Sequence, residues 1–291
     1  MIQLTPFPLT CTPYSGESLA GFIVRLAERL CWRDAAALAA AAGLTFPGCS
    51  VSRADLTSLA ELSQVPVNVL SEMSYHPVER QEHRRFLGGQ VHREFLIRHR
   101  RFCPHCLGES AYHRAEWDFA LLATCPRHAV HILAECPKCQ RRIQWKPPCI
   151  AKCACGQELA DVRAMDASDA DVLAAVRILG LATGGDHQWL PGILRSCDGA
   201  DLVGTSMRLG MFLAGWRPRH SADTLISATT VQLADIVRKG TDCLAACPKD
   251  FHLFLRTRLC GAARRRGRYV EQEGIAKAFN DWLAGQVSGT T

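Results

Sequence analysis

The chain has no stretch of about 18 uninterrupted apolar residues, so no membrane-spanning helix is expected. Its first residues, Met-Ile-Gln-Leu-Thr-Pro-Phe-Pro, lack a basic start followed by an apolar run, so no secretory leader is expected either. These two absences point to a reducing cytoplasm, where cysteines are thiols or metal ligands rather than staples. There is no G-x-x-x-x-G-K-[ST] loop, which excludes a P-loop ATPase. There is no G-x-S-x-G elbow and no H-E-x-x-H pair, which removes the common serine hydrolase and zinc protease plans. A nucleobase deaminase needs H-x-E well upstream of P-C-x-x-C. The triplet His92-Arg93-Glu94 exists, but it lies too close to Cys103 and the later order is C-P-x-C. No solenoid-length repeat is present.

Cysteine, by contrast, is abundant, with 15 in 291 residues. The remaining composition is that of an ordinary folded protein, with 48% apolar and 21% charged residues. A net charge of +6 is compatible with a nucleic-acid partner without requiring one. The length suits two or three small domains.

The densest cysteines fall between positions 103 and 155 as four knuckles: Cys103-Pro-His-Cys106, Cys125-Pro-Arg-His128, Cys136-Pro-Lys-Cys139 and Cys153-Ala-Cys155. Two ligands on one tight turn face one side of a cation, and a proline fixes φ within three of these turns. Two knuckles complete a tetrahedron, so four complete two. The pattern predicts two structural zinc ions with no open coordination position. A thioredoxin-like pair or plain buried thiols would account for one knuckle but not four. Pairing of consecutive knuckles is expected, with an alternating cross-brace as the competitor. Cys149 lies close to the second site, where it could replace a ligand, and His105 and His113 lie near the first; they read as bystanders, because the knuckles already supply four ligands.

Around this module the chain reads as mainly α. Residues 1–101 form an N-terminal helical domain with a Pro-rich arm, 102–160 the tandem zinc-binding module with small zinc-ribbon β elements, and 161–291 a C-terminal helical domain. Apolar spacing predicts helices at 17–30, opened by Ser15 or the nearby Ser18, at 34–42, stopped by Gly43, at 53–62 and at 67–73. The last two, joined by Ser63-Gln64-Val65-Pro66, resemble a helix-turn-helix, with a plain helical bundle as the alternative. Residues 76–101 are rich in arginine and histidine and read as a solvated linker or a phosphate-contacting stretch. Further helices are expected at 164–181, 202–214, 227–239 and 251–266. Candidate phosphate contacts are Arg98, Arg100 and Arg101 before the first knuckle, Arg141 and Arg142 after the third, and Arg264, Arg265, Arg266 and Arg268 near the C-terminus. Trp117 and Trp145 read as ribbon core.

Taken in order, Pro8-Leu9-Thr10, Pro13-Tyr14, Gly16-Glu17-Ser18-Leu19, Arg25-Leu26-Ala27, the Cys103 knuckle, Tyr112, Trp117, the Cys125 knuckle and the two later knuckles resemble the TniQ family. These are target-selection proteins of Tn-type transposons, related to TnsD. The resemblance covers about residues 5–160, and more loosely 240–254. It implies a non-catalytic adaptor that recognises DNA, or a CRISPR effector with its guide RNA, and recruits the transposon's AAA+ ATPase and through it the transposase. Some members act as homodimers. It also implies that Cys103, Cys106, Cys125, His128, Cys136, Cys139, Cys153 and Cys155 are the zinc ligands, although the last knuckle is C-x-C rather than C-x-x-C. A zinc-ribbon transcription regulator that binds DNA alone is the alternative, and a nuclease with structural zinc is a third reading.

Overall fold

The computed structural model describes residues 5–46, 55–97, 99–146, 149–185, 187–216, 225 and 227–247. The protein is mainly helical, with two small antiparallel hairpins. Its first helix, α1 (Leu19–Arg29), begins where the Ser18 hydroxyl accepts the Gly21 amide at 3.0 Å, so Ser18 rather than Ser15 is the cap. Leu19, Phe22, Ile23, Leu26 and Ala27 form its buried face. The short α2 (Ala35–Ala41) is capped by Asp34 and is followed by Gly43 at φ 74°, in the left-handed region that glycine accepts readily. The arm ahead of α1 is tied down along its length. The Phe7 amide donates to the Leu62 carbonyl at 2.8 Å, and Arg25 donates to Thr12 O at 2.9 Å.

The helix-turn-helix-like segment folds as α3 (Thr57–Ser63) and α4 (Val67–Glu72), broken by Gln64 at φ 56° and by Pro66. The start of the helix expected over 53–62 lies outside the described residues. The shorter α4 has only six residues, Val-Asn-Val-Leu-Ser-Glu, and its one charge is acidic. A helix that reads a major groove usually offers arginine, lysine, asparagine or glutamine to base edges, and only Asn68 is available here.

The arginine-rich stretch after α4 is not a linker. It folds into the hairpin β1 (His83–Phe86) and β2 (Gly89–His92), with Phe86 opposite Gly89. The two-residue tip, Leu87-Gly88, has φ of 45° and 95°, the paired positive values of a primed hairpin turn. This hairpin presses on the C-terminal helices. A Cβ on Gly89 would meet the Ala182 carbonyl oxygen at 2.4 Å, and Arg80 pairs with Asp201 at 3.0 Å.

The knuckle region contributes α5 (Pro104–Glu109) and the hairpin β3 (Thr124–Cys125) with β4 (Val130–His131). Beyond it lie α6 (Asp169–Thr183), α7 (Gly199–Leu213) and α8 (Thr230–Ala245). Reciprocal capping boxes, Ser168 with Asp171 and Thr229 with Gln232, set the starts of α6 and α8. The helix expected over 251–266 lies outside the described residues. One continuous buried cluster runs from Leu19 to Cys247 and passes through the knuckle region. Among the described residues, no helix is long and apolar enough to cross a membrane.

The crossing of α7 and α8 depends on two glycines. A Cβ on Gly210 would sit 1.9 Å from the Ile236 carbonyl oxygen, and one on Gly240 would sit 2.0 Å from the Ser206 carbonyl oxygen. Alanine at an exposed helical glycine normally gains about 1 kcal/mol. At Gly210 the sign should reverse, because neither backbone can yield without separating the helices. Gly210→Ala is expected to lose about 1–3 kcal/mol in urea denaturation, and a more stable variant would contradict this packing.

Candidate metal centre

Two clusters of donor atoms form in the knuckle region, each with all four donor atoms within 4.8 Å of one another. The first joins Cys103, Cys106, Cys125 and His128, and the second joins Cys136, Cys139, Cys153 and Cys155. Consecutive knuckles therefore come together, rather than alternating ones.

In the first cluster Cys103 precedes α5 and Cys106 lies within it, one turn apart in a helix that starts on Pro104. Cys125 ends β3, and the turn into β4 brings back His128. Cys106 Sγ lies 3.7 Å from Cys125 Sγ, and His128 Nδ1 lies 3.6, 3.3 and 3.6 Å from the sulfurs of Cys103, Cys106 and Cys125. In the second cluster Cys136 and Cys155 are 3.7 Å apart, and Cys139 and Cys153 are 3.8 Å apart. Disulfide sulfurs would lie about 2.05 Å apart. A tetrahedral ion with bonds of about 2.3 Å to sulfur and about 2.0 Å to nitrogen imposes ligand edges of about 3.5–3.8 Å. The observed spacings match those edges, and the donors are the soft and borderline types that such an ion takes. Each cluster can hold one metal ion.

Local backbone geometry supports this arrangement. Three knuckles close with a residue in the left-handed region directly after the second ligand: Ala129 at φ 50°, Gln140 at 55° and Gly156 at 84°. That turn reverses the chain tightly enough for the Gln140 amide to donate to the Cys136 carbonyl at 2.7 Å and the Gly156 amide to the Cys153 carbonyl at 2.9 Å.

The electrostatics of the thiols follow from crowding. Hydrogen bonds from Cys103 and Cys106 hold Cys125 far below the ordinary thiol range, while the contact with Cys103 pushes Cys106 up. The Arg141 amide directed at Cys139 lowers that thiol to about 6. A divalent cation at the centre of each cluster would replace mutual repulsion with attraction for every ligand.

The flanking residues take other roles. Burial and the neighbouring Glu28 push the Cys149 thiol up, and Cys149 belongs to neither cluster. The His105 ring lies 5.5 Å from the His128 ring, and His113 Nδ1 pairs with the Ser18 hydroxyl at 2.9 Å. Trp117 is fully buried and Trp145 nearly so, as ribbon core. One contact not anticipated from sequence is Glu109, at the end of α5, whose Oε1 lies 2.8 Å from His128 Nε2.

The expected phosphate contacts divide sharply. Arg141 and Arg142 are exposed beside the second cluster. Arg100 and Arg101, expected at the surface, are instead only 1% and 5% exposed. Arg100 donates to the carbonyls of Cys149 at 2.9 Å and of Ile150. Arg101 donates to Trp117 O at 2.9 and 2.7 Å, to Ala120 O and Leu122 O at 3.1 Å each, and to Phe119 O. Their donors serve main-chain oxygens of the chain itself rather than solvent or a ligand. Arg98, Arg264, Arg265, Arg266 and Arg268 lie outside the described residues.

Asp118 is buried within the same stretch as the carbonyls that Arg101 contacts, with the Tyr75 hydroxyl donating to it at 2.7 Å. Burial raises its carboxyl to about 7. The unfolded carboxyl ionises near about 4, so the unfolded chain releases its proton first and this group removes stability as pH rises from about 4 to 7. His113, held well below its ordinary range by burial and by the Arg100 charge, acts oppositely, and its cost fades as pH rises towards about 6.5. Asp118→Asn should therefore improve relative to the parent between about pH 5 and pH 8. Chemical denaturation at both values reads the effect, and a constant difference would contradict the raised carboxyl.

No curated protein matches the chain. Residues 8–132, from the arm through α1 to the first cluster and β4, match the model of the TniQ family.

Proposed function

We propose that the protein is a non-catalytic target-selection adaptor of a transposition system, built on two structural zinc ions. The observation that carries this reading is the TniQ match over 8–132, which contains the first four-donor cluster and the helices leading into it. Zinc is the ion favoured by three sulfurs with one imidazole and by four sulfurs, in closed tetrahedra without a water position. The ligands are Cys103, Cys106, Cys125 and His128 in one site and Cys136, Cys139, Cys153 and Cys155 in the other. Closed sites leave no place for an activated water, so the ions act as scaffold.

In this reading residues 1–101 and 102–160 form the recognition part and 161–291 a helical partner-binding part. The adaptor engages target DNA or an RNA-guided effector, and it recruits the AAA+ ATPase that delivers the transposase. Exposed Arg141 and Arg142 suit phosphate contact, because such contacts need only charge and reach.

Co-purification tests the recruitment step. The full chain, tagged, is expected to retain a transposon-type AAA+ ATPase from its own host in the presence of ATP and DNA. Failure to retain that ATPase under any nucleotide condition would overturn the adaptor reading, and Mg2+-dependent cleavage of DNA by the pure protein would overturn the non-catalytic part. Native mass spectrometry is expected to find two zinc ions per chain.

A further inference from the structure

We infer that Glu109 is the positioning residue of the first metal site: it fixes the tautomer and ring orientation of His128, and so sets how tightly that site, and not the second, keeps its ion. The inference rests on the metal reading proposed above.

The two sites differ in one donor. The second has four cysteines, and a thiolate can meet an ion from many directions. The first has an imidazole, which binds through one lone pair in the ring plane and only when that nitrogen carries no proton. His128 Nδ1 is the atom that faces the three sulfurs, at 3.3–3.6 Å. Neutral imidazole keeps one proton, so a metal-binding Nδ1 requires the proton on Nε2. Free imidazole has no such obligation, and something must hold it there.

Glu109 Oε1 lies 2.8 Å from Nε2 and is placed to accept that proton in a charge-assisted hydrogen bond. The carboxylate is itself held. Arg127 donates to Oε2 at 2.8 Å, and Arg114 lies 3.9 Å from the same oxygen. The elements agree as well. Glu109 ends α5, the helix that carries Cys106, so one short rigid segment supplies a sulfur ligand and the orientation of the histidine brought in by the β3–β4 turn. Groups that orient a ligating histidine commonly govern metal affinity by about 10–100-fold.

The test uses the full-length, zinc-loaded protein and a chromophoric chelator, with zinc release followed in time. The parent should release its two ions in distinguishable phases. Glu109→Ala should speed the phase of the first site by about 10–100-fold and leave the other phase unchanged. Glu109→Gln, whose amide oxygen still accepts from Nε2, should recover most of the retention. Arg127→Ala, which removes one of the two groups that hold the carboxylate, should fall between the parent and Glu109→Ala. Nitrogen-15 spectra of the histidines give a second readout: Nε2 of His128 is expected to carry a protected proton in the parent and an exchanging one in Glu109→Ala. Equal release from parent and Glu109→Ala, with two ions bound to each, would overturn the inference while leaving the metal reading intact. A parent that binds no zinc at all would instead overturn the metal reading.

Discussion

Stripping both ions with a strong chelator is expected to unfold the segment 102–160 and to take the rest of the fold with it. The segment has little regular structure to survive alone. Its described helix α5 has six residues, and β3 and β4 have two each. Two-residue strands and a one-turn helix do not persist in water without tertiary support. What fixes the relative positions of the knuckles is the pair of four-donor clusters. Structural zinc contributes apparent binding free energies of about 10–16 kcal/mol, which equals or exceeds the whole stability of a typical domain at about 5–15 kcal/mol. The loss is not confined to the ribbon, because Cys103, Cys106, Trp117, Phe119, Cys125 and Cys136 belong to the same buried cluster as Phe22 and Leu26 of α1. Far-UV circular dichroism and limited proteolysis before and after chelation measure the effect. Cys106→Ser should reproduce it for the first site in the presence of excess zinc. Unchanged cooperative melting of a protein with no bound metal would refute the scaffold role.

The legibility of this protein in its sequence was uneven, for physical reasons. Ligand spacing is a local signal, so the four knuckles could be read directly, whereas spacing alone left consecutive and alternating grouping open until the fold brought consecutive knuckles together; the long amphipathic helix α1 followed from its apolar rhythm. The β1–β2 hairpin could not. Its strands, His-Arg-Arg-Phe and Gly-Gln-Val-His, carry too few apolar residues to alternate, and much of their burial comes from α6 and α7, more than 75 residues away. The Leu87-Gly88-Gly89 turn was the one available hint. The α8 helix runs through 240–245, beyond the end at Lys239 suggested by its pattern, and the close approach of the Ser206 carbonyl accounts for the glycine at 240. Glu109 was hidden for a different reason: a glutamate at a helix end is common, and only the fold brings His128 to it. Arg100 and Arg101 illustrate the limit of charge counting. An arginine cluster beside a metal module looks the same in sequence whether it faces phosphate or its own backbone.

That last distinction gives the other large expected effect. Arg101 is buried, and burial lowers its guanidinium to about 10. Its five N–H groups form a planar fork, and they reach the carbonyl oxygens of Trp117, Phe119, Ala120 and Leu122 along one loop. Lysine has three donors on a single nitrogen and cannot span those oxygens. Arg101→Lys is therefore expected to cost about 3–5 kcal/mol, the loss seen when one partner of a buried charged network is removed, since each orphaned oxygen costs about 1–3 kcal/mol. Arg142→Lys, at an exposed position, should stay within about 0.5 kcal/mol. Urea denaturation of the two variants separates a pin from a surface charge. DNA binding across a salt series completes the argument: Arg142→Ala should lower the salt dependence by about one phosphate contact without changing stability, whereas Arg101→Lys should lose binding only in step with unfolding. If Arg101→Lys kept its stability and still lost affinity for DNA, the arginine would be a phosphate contact after all, and the inward geometry would not describe the protein in solution.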